Sequence, residues 1–430
     1  MTDHDDIVRQ LREAVATAPP SEDDIGAVAA RMRRRRVVRR AFTVGVTAAV
    51  VVLAAVTVAP LIQRSDRTDR IELADRAATT ADQASSDGMA EPLQWGDLPP
   101  SPLDDRWGAF SAWTGDELLI WGGYAWSGGD GEGPRSDGAA FDGAAWSTLP
   151  TGPMPALMRH NGVAAWTGDE LWIVGGTGGV DGTRLSRAAA AYRPATRRWR
   201  KLPAVPEPIG GGAWVGDQLV VVAAVTDGPR AVYTLRAGDD RWRHVDALPP
   251  PHRSSRDNSD LHVLATADHV AVVGLGRVFV LAAGPDAAGS DAAAWRRLPA
   301  PGGGNRLTNV RGAVAWTDAF VVLLSNGTYR YDLDTRKWTR IADGLKPEPP
   351  QAIPLVRTGA DDLVAVDVVN GGMYMLSDDG TWIGLAALDE PRVDATVEVA
   401  GDQVVIWGGM GSEQRDDGTQ GWTLAAPPDS

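Results

Sequence analysis

A short pattern that recurs every 41 to 53 residues constrains this chain more than any other feature. Each copy contains a turn ending in aspartate and a run of apolar residues, followed in the clearest copies by paired glycines. Those copies are WTGDELLIWGG (113–123), WTGDELWIVGG (166–176) and AGDQVVIWGG (400–409). The aligned aspartates are Asp116, Asp169, Asp217, Asp268, Asp318, Asp361 and Asp402. Such a period is typical of stacked units, each too small to bury its own apolar face.

A second landmark follows the glycines in each unit. An aromatic strand, a polar turn and a tryptophan strand ending near Leu-Pro follow one another, as in YRPATRRWRKLP (192–203). The pattern predicts a four-stranded antiparallel meander. Glycine permits the tight first turn, the apolar run is covered on both faces, and the aromatic side chains pack between neighbouring sheets.

These repeats resemble those of the kelch-repeat β-propeller family over residues 95–430. The paired glycines and the seven-residue spacings of Tyr192 to Trp199 and Tyr331 to Trp338 carry the resemblance. It implies an all-β domain, a seven-bladed kelch-type β-propeller, with six or eight blades as alternatives. There are eight tryptophan strands, because QWGDLPP (94–100) precedes the first copy of the pattern. We expect that additional strand to close the ring against the short last unit.

An uncharged stretch, residues 41–63, precedes the repeats and is long enough to cross a bilayer as a helix. Seven arginines lie between residues 31 and 40 with no acidic residue among them. The positive-inside rule therefore predicts one transmembrane helix in the cell membrane, with residues 1–40 cytoplasmic and the large body extracytoplasmic. A cleaved signal peptide is the alternative, but its charged leader would be unusually long. Residues 64–94 are rich in Ala, Ser, Thr and charge, which predicts a flexible linker.

The cytoplasmic tail, residues 1–40, shows two partly helical stretches separated by Pro19 and Pro20. It weakly resembles the tails of anti-sigma-factor-like membrane proteins, which implies a cytoplasmic partner and sigma-factor control. The simpler alternative is an orienting leader whose arginines lie at the membrane surface.

Composition excludes several kinds of chemistry. The chain has no cysteine, so the copper centre with a cross-linked tyrosine and cysteine, found in the kelch relative galactose oxidase, cannot form; we expect no cofactor. Residues 41–430 hold 33 basic and 49 acidic residues, which argues against nucleic-acid binding. Aspartate-rich turns such as SDDGTW (377–382) partly resemble those of sialidases, so a carbohydrate-active enzyme of sialidase or oxidase type stays an alternative.

Arginines before the first strand of most units form the main candidate site. In a propeller this strand lines the central channel, and its start opens on one face, which we call the mouth. Arginines there can hold an acidic protein or an anionic ligand through bidentate hydrogen bonds. The alternative is that each arginine pairs with a nearby aspartate, such as Asp394, and joins adjacent blades. The predicted ligand-binding residues are Arg106, Arg159, Arg256, Arg306, Arg357 and Arg392.

The sequence thus predicts a membrane-anchored, extracytoplasmic binding scaffold without enzymatic activity. The enzyme and the signalling protein that regulates a sigma factor are the alternatives.

Overall fold

The described part of the chain consists of short β-strands joined by turns. A computed structural model describes residues 94–125, 132–179, 182–224, 229–248, 261–274, 276–282, 295–303, 307, 309–346, 353–358, 362–385, 387–388, 391–401, 403–411 and 421–425. All of these except Gln94 belong to one compact unit, Trp95–Ala425. The predicted tail, transmembrane segment and most of the predicted linker lie outside the described residues. Among the residues that are described, no helix is long and apolar enough to cross a membrane.

The strands of the first two repeats are bounded as follows. They are β1 (Gln94–Asp97), β2 (Arg106–Trp107), β3 (Phe110–Trp113), β4 (Leu118–Trp121), β5 (Tyr124–Ala125), β6 (Gly133–Pro134), β7 (Gly138–Phe141), β8 (Trp146–Thr148), β9 (Met158–Trp166), β10 (Leu171–Gly178), β11 (Arg184–Leu185), β12 (Ala189–Arg193) and β13 (Arg198–Lys201). A single 3₁₀ turn, Pro194–Thr196, lies between β12 and β13.

The middle repeats contain strands β14 to β25. They are β14 (Ile209–Val215), β15 (Gln218–Ala223), β16 (Arg230–Arg236), β17 (Arg243–Leu248), β18 (His262–Ala265), β19 (His269–Gly274), β20 (Arg277–Ala282), β21 (Arg296–Leu298), β22 (Val310–Ala315), β23 (Ala319–Leu324), β24 (Gly327–Asp332) and β25 (Lys337–Ala342). A second 3₁₀ turn is Pro301–Gly303.

The last repeats contain the remaining strands. They are β26 (Leu355–Arg357), β27 (Leu363–Asp367), β28 (Gly372–Leu376), β29 (Trp382–Gly384), β30 (Arg392–Val393), β31 (Thr396–Ala400), β32 (Gln403–Trp407), β33 (Met410–Gly411) and β34 (Gly421–Ala425).

The larger sheets are antiparallel and share one order, from inner to outer strand. Sheet 1 is β3-β4-β7-β8, sheet 2 is β9-β10-β12-β13 with β11 beside β10, sheet 3 is β14 to β17, sheet 4 is β18 to β21, sheet 5 is β22 to β25, sheet 6 is β26 to β29, and sheet 7 is β31-β32-β34-β1. The pairing of β1 with β34 confirms that the strand before the first repeat completes the last sheet. Two small ribbons, β2-β5-β6 and β30-β33, lie beside these sheets.

The second strand of each sheet forms its buried centre. All side chains of β4, β10 and β23 are buried, as expected for apolar runs covered on both faces. The core lies between neighbouring sheets; Trp407 of sheet 7 packs with Leu118 and Ile120 of sheet 1, and Trp121 of sheet 1 packs with Leu171 of sheet 2. Each repeat therefore shares its core with its neighbours.

The inner strands of neighbouring sheets contact one another in chain order. β3 contacts β9, β9 contacts β14, and the series continues through β18, β22, β26 and β31. β31 in turn contacts β3, so the last sheet meets the first. The starts of strands from distant repeats therefore lie close together.

The outer tryptophans of four sheets link each of them to the sheet before it. The indole nitrogens of Trp146, Trp199, Trp242 and Trp338 donate to the carbonyl oxygens of Pro99, Pro150, Pro203 and Pro299, at 2.8 to 2.9 Å. In these sheets the tryptophan of one repeat is hydrogen-bonded to the Leu-Pro segment of the repeat before it.

Candidate functional site

Backbone hydrogen bonds join three repeats where their inner strands begin. The amide of Gly108 donates to the carbonyl oxygen of Asp394 at 3.0 Å. The amide of Arg159 donates to the carbonyl oxygen of Gly108 at 2.8 Å. Gly108, Asn161 and Asp394 all have left-handed backbones, with φ of 62°, 55° and 55°. Gly108 and Asp394 turn the chain into the inner strands of sheets 1 and 7, and Asn161 lies within β9, the inner strand of sheet 2.

Arg159 extends from sheet 2 toward the start of sheet 7. Its guanidinium lies 3.3 Å from the carbonyl oxygen of Ala395 and 3.5 Å from that of Asp394. The carboxylate of Asp394 is 3.6 Å away, and the Arg159 side chain is 32% exposed. Partial burial lowers the pKa of Arg159, although the charges of Asp394 and Glu398 oppose that shift. Arg159 is therefore a partly desolvated cation with long contacts, because charge-assisted hydrogen bonds are normally 2.7–2.9 Å.

His160 lies next to this guanidinium and contacts the same carboxylate. Its Nε2 is 3.1 Å from Oδ2 of Asp394, and its side chain is 41% exposed. The Trp107 ring packs against it, with centroids 5.6 Å apart. Burial tends to raise the pKa of Asp394, but the His160 hydrogen bond and the Arg159 charge outweigh it, so the pKa lies below its ordinary value. This carboxylate is ionised at neutral pH.

A second carboxylate lies between the inner strands of sheets 7 and 1. Ser111 donates its hydroxyl to Glu398 at 2.6 Å. Burial raises the pKa of Glu398 even though this hydrogen bond and the charge of Arg159 act to lower it. We call Ser111, Arg159, His160, Asp394 and Glu398 the Arg159 cluster.

Two other predicted arginines occupy equivalent positions but are buried. Arg106 donates to the carboxylate of Asp137 at 2.7 Å and also contacts Asp104. Arg392 is 5% exposed and donates to the carbonyl oxygen of Gly409 at 3.4 Å. Arg106 therefore pairs with nearby aspartates, which is the alternative to ligand binding.

The prediction that Arg357 precedes its first strand is wrong. Arg357 is the last residue of β26, next to the turn that leads to β27. Its guanidinium lies over the Trp316 ring, 5.3 Å from the centroid, at the end of the strand away from the Arg159 cluster. In this repeat no arginine stands before Leu355 at the spacing that Arg106 and Arg159 have in the first two repeats, and Arg357 was matched to that position instead. Arg256 and Arg306 lie outside the described residues.

Sequence reasoning overlooked His160 and Glu398. Three segments are equivalent, because in each an arginine stands two residues before a left-handed residue: RWG (106–108), RHN (159–161) and RVD (392–394). His160 occupies the middle position of the second segment, next to a predicted arginine. Nothing local marks Glu398, since its contacts to Ser111 join residues 287 positions apart.

Within the described ranges, no three His, Asp or Glu side chains come together in a group that could hold a metal ion. The Arg159 cluster instead combines one cation with two carboxylates, one hydroxyl and one partly exposed imidazole. Such a set can bind a polar or charged partner by hydrogen bonds and ring contacts.

Comparisons with known proteins address the fold. No family model matches the chain. A protein described as Kelch-like protein terF, from Aspergillus terreus, is 31% identical over 137 residues, which cover 30% of this chain; the chain spans only 29% of that relative's length.

Solved structures are similar over a larger share of the chain. Virginiamycin B lyase from Staphylococcus aureus matches 77% of this chain and 98% of its own with a TM-score of 0.52 and 9% identity. A fungal alcohol oxidase of the AA5 family, in complex with copper, matches 78% of this chain and 76% of its own with a TM-score of 0.58 and 11% identity. Together with the repeated four-stranded sheets, the comparisons support a kelch-type β-propeller. At these identities the solved structures bear on the fold of the propeller alone.

Proposed function

We propose that this chain is a membrane-anchored, extracytoplasmic β-propeller that binds a carboxylate-bearing partner at its mouth and performs no reaction on it. The environment of Arg159 carries the proposal. A partly exposed cation, whose contacts are all 3.3 Å or longer, has room for a better partner.

An incoming carboxylate suits this arginine on electrostatic grounds. A guanidinium offers two parallel N–H donors to a carboxylate, and the interaction is stronger where water is partly excluded. The Asp394 carboxylate contacts His160, and the Glu398 carboxylate accepts a hydrogen bond from Ser111. Neither carboxylate therefore forms a short ion pair with Arg159.

We also propose that the propeller has seven blades. The contacts of the inner strands, which pass in order through the larger sheets and return from β31 to β3, support that number. The anchor at residues 41–63 is supported by an uncharged stretch preceded by seven arginines. A cytoplasmic partner of residues 1–40 stays a prediction.

The mouth can be tested with labelled ten-residue peptides of graded charge, from all-glutamate to all-lysine, by fluorescence anisotropy on the full chain. We expect the glutamate-rich peptides to bind best and Arg159→Gln to weaken their binding at least tenfold. Arg357→Gln removes the same charge at the other end of an inner strand, so it serves as the matched control and should bind like the wild type.

Two results would reject the proposal. One is unchanged binding of every acidic peptide by the Arg159→Gln variant. The other is turnover of chromogenic glycosides, or oxygen consumption with added copper, which would establish the enzymatic alternative.

A further inference from the structure

A shallow groove of about 520 Å³ lies between the outer strands of sheets 1 and 2. The segment Pro150, Thr151, Gly152 and Pro153 forms one side, and residues of and before β13 form the other. The indole of Trp199 fixes the two sides together, since its nitrogen donates to the carbonyl oxygen of Pro150 at 2.8 Å. A side chain at position 152 would meet that ring at 3.0 Å, so glycine keeps the walls in contact.

Three cations line this groove: Arg197, Arg198 and Lys201. All three are exposed. Arg197 donates to the carbonyl oxygen of Thr148 at 2.7 Å and interacts electrostatically with Glu117. Among the described residues, no carboxylate forms an ion pair with Arg198 or Lys201. These charges stand out on a body whose residues 41–430 are acidic overall.

Two neighbouring arginines of sheet 2 already have carboxylate partners. Arg193, at the end of β12, and Arg200 both pair with Glu170, at 3.1 and 2.7 Å. Arg193 and Arg200 are thus neutralised by Glu170, whereas Arg198 and Lys201 have no carboxylate partner among the described residues.

Cations beside the outer tryptophan are paired in some other sheets. In sheet 3, Arg241 and Arg243 flank Trp242 and pair with Asp240 and Asp239, at 3.2 and 3.3 Å. In sheet 5, Arg340 follows Trp338 and pairs with Asp343 at 2.8 Å, whereas Lys337, the counterpart of Arg198, forms no ion pair with a described residue. The outer tryptophan is thus accompanied by paired cations in sheet 3 and by both kinds in sheet 5.

We infer that this groove is a second docking surface, separate from the mouth, for an acidic segment of a partner protein in extended conformation. β13 is the outermost strand of sheet 2, and no described strand pairs with its outer edge, so that edge can pair with an added strand. Carboxylates on that strand would meet Arg197, Arg198 and Lys201. The charge of the groove selects an acidic segment, and the strand edge selects a polypeptide rather than another polyanion.

The groove can be tested in the Arg159→Gln background, which removes the proposed contribution of the mouth. The probe is a labelled ten-residue glutamate peptide, measured by anisotropy on the full chain at two salt concentrations. Adding Arg198→Gln with Lys201→Gln should weaken binding at least tenfold, and higher salt should weaken binding to the chain that keeps both cations. Arg241→Gln with Arg243→Gln, the same charge loss beside Trp242, should change affinity by less than twofold.

Hydrogen exchange adds a readout of position, because bound peptide should protect the amides of residues 198–201. No binding of the peptide in the Arg159→Gln background would overturn the inference while leaving the mouth in place. Equal losses in the two double variants would also overturn it. Tighter binding of a heparin oligosaccharide than of the peptide, lost with the same two cations, would replace the polypeptide partner with a polysaccharide. Melting temperatures of all variants verify that the chains are folded.

Discussion

The indole nitrogen of Trp199 donates a 2.8 Å hydrogen bond to the carbonyl oxygen of Pro150, across the boundary between sheets 2 and 1. The same ring packs against Tyr192, the residue opposite it on the neighbouring strand, with centroids 5.1 Å apart. One side chain therefore joins two strands of its own sheet and the preceding sheet. Contacts of this kind couple neighbouring repeats, which have no large core of their own.

Replacing Trp199 with phenylalanine should uncouple this boundary while keeping an aromatic ring. We expect the free energy of unfolding to fall by about 1–2 kcal/mol, because the hydrogen bond and part of the ring packing are lost. Chemical denaturation of the full chain measures the change. Trp113→Phe is the matched control, since no hydrogen bond of its indole is seen in the described residues. Equal losses in both variants would show that ring size matters and the Pro150 contact does not.

Glu170 should make stability depend on pH in the acid range. It accepts hydrogen bonds from Arg200 at 2.7 Å and from the Trp172 indole at 3.1 Å. Burial opposes its ionisation, but the hydrogen bonds from Arg200, Trp172 and Arg193 lower its pKa from 4.5 to about 2. A lowered carboxyl pKa stabilises the folded state at neutral pH, and this contribution disappears as pH falls from 4.5 through about 2.

The Glu170→Gln variant should therefore be less stable than the wild type at pH 7, on the order of 2 kcal/mol, and the difference should shrink toward pH 2. Thermal unfolding between pH 7 and pH 2 measures both effects. Asp116→Asn, at the equivalent turn of sheet 1, is an exposed control that should change stability at pH 7 much less than Glu170→Gln. A difference between Glu170→Gln and wild type that stays constant with pH would contradict the prediction.

Gly122 should tolerate no side chain. Its φ is +70°, and a Cβ atom would lie 2.5 Å from the carbonyl oxygen of Leu157 in the next repeat. Gly122→Ala is expected to lower the free energy of unfolding by about 2–4 kcal/mol, from backbone strain and the displaced neighbour. Gly401 also has a left-handed backbone, with φ of +64°, but has open space around it, so Gly401→Ala should cost about 1 kcal/mol. Similar losses would mean that φ alone explains the paired glycines.

Repeat structure was predictable because it depends on residues close in sequence. The turn glycines Gly115 and Gly168 have positive φ, the apolar runs are buried central strands, and Tyr331 lies opposite Trp338 as their spacing indicated. Hairpin turns and alternating strands are local features, so one repeat contains nearly all the information needed to predict them.

The candidate site was only partly predictable. The equivalence of Arg106, Arg159 and Arg392 is visible in the spacing of the repeats, and the structure places each near the start of an inner strand. Their surroundings differ, however: the partner of Arg106 is Asp137, which lies on the connection between β6 and β7, whereas Arg159 reaches the segment before β31. Spacing could not show which arginine is buried and which is exposed.

The sequence by itself determined the repeated unit: its turns, its buried second strand and its tryptophan strand ending near Leu-Pro. Only the tertiary structure decided that Arg159, His160 and Asp394 form one cluster, and that Arg198 and Lys201 have no carboxylate partner among the described residues. The physical reason is distance along the chain. Hydrogen-bonded turns and strand periodicity act over a few residues, whereas Arg159 and Asp394 are 235 residues apart and meet because the last sheet packs against the first.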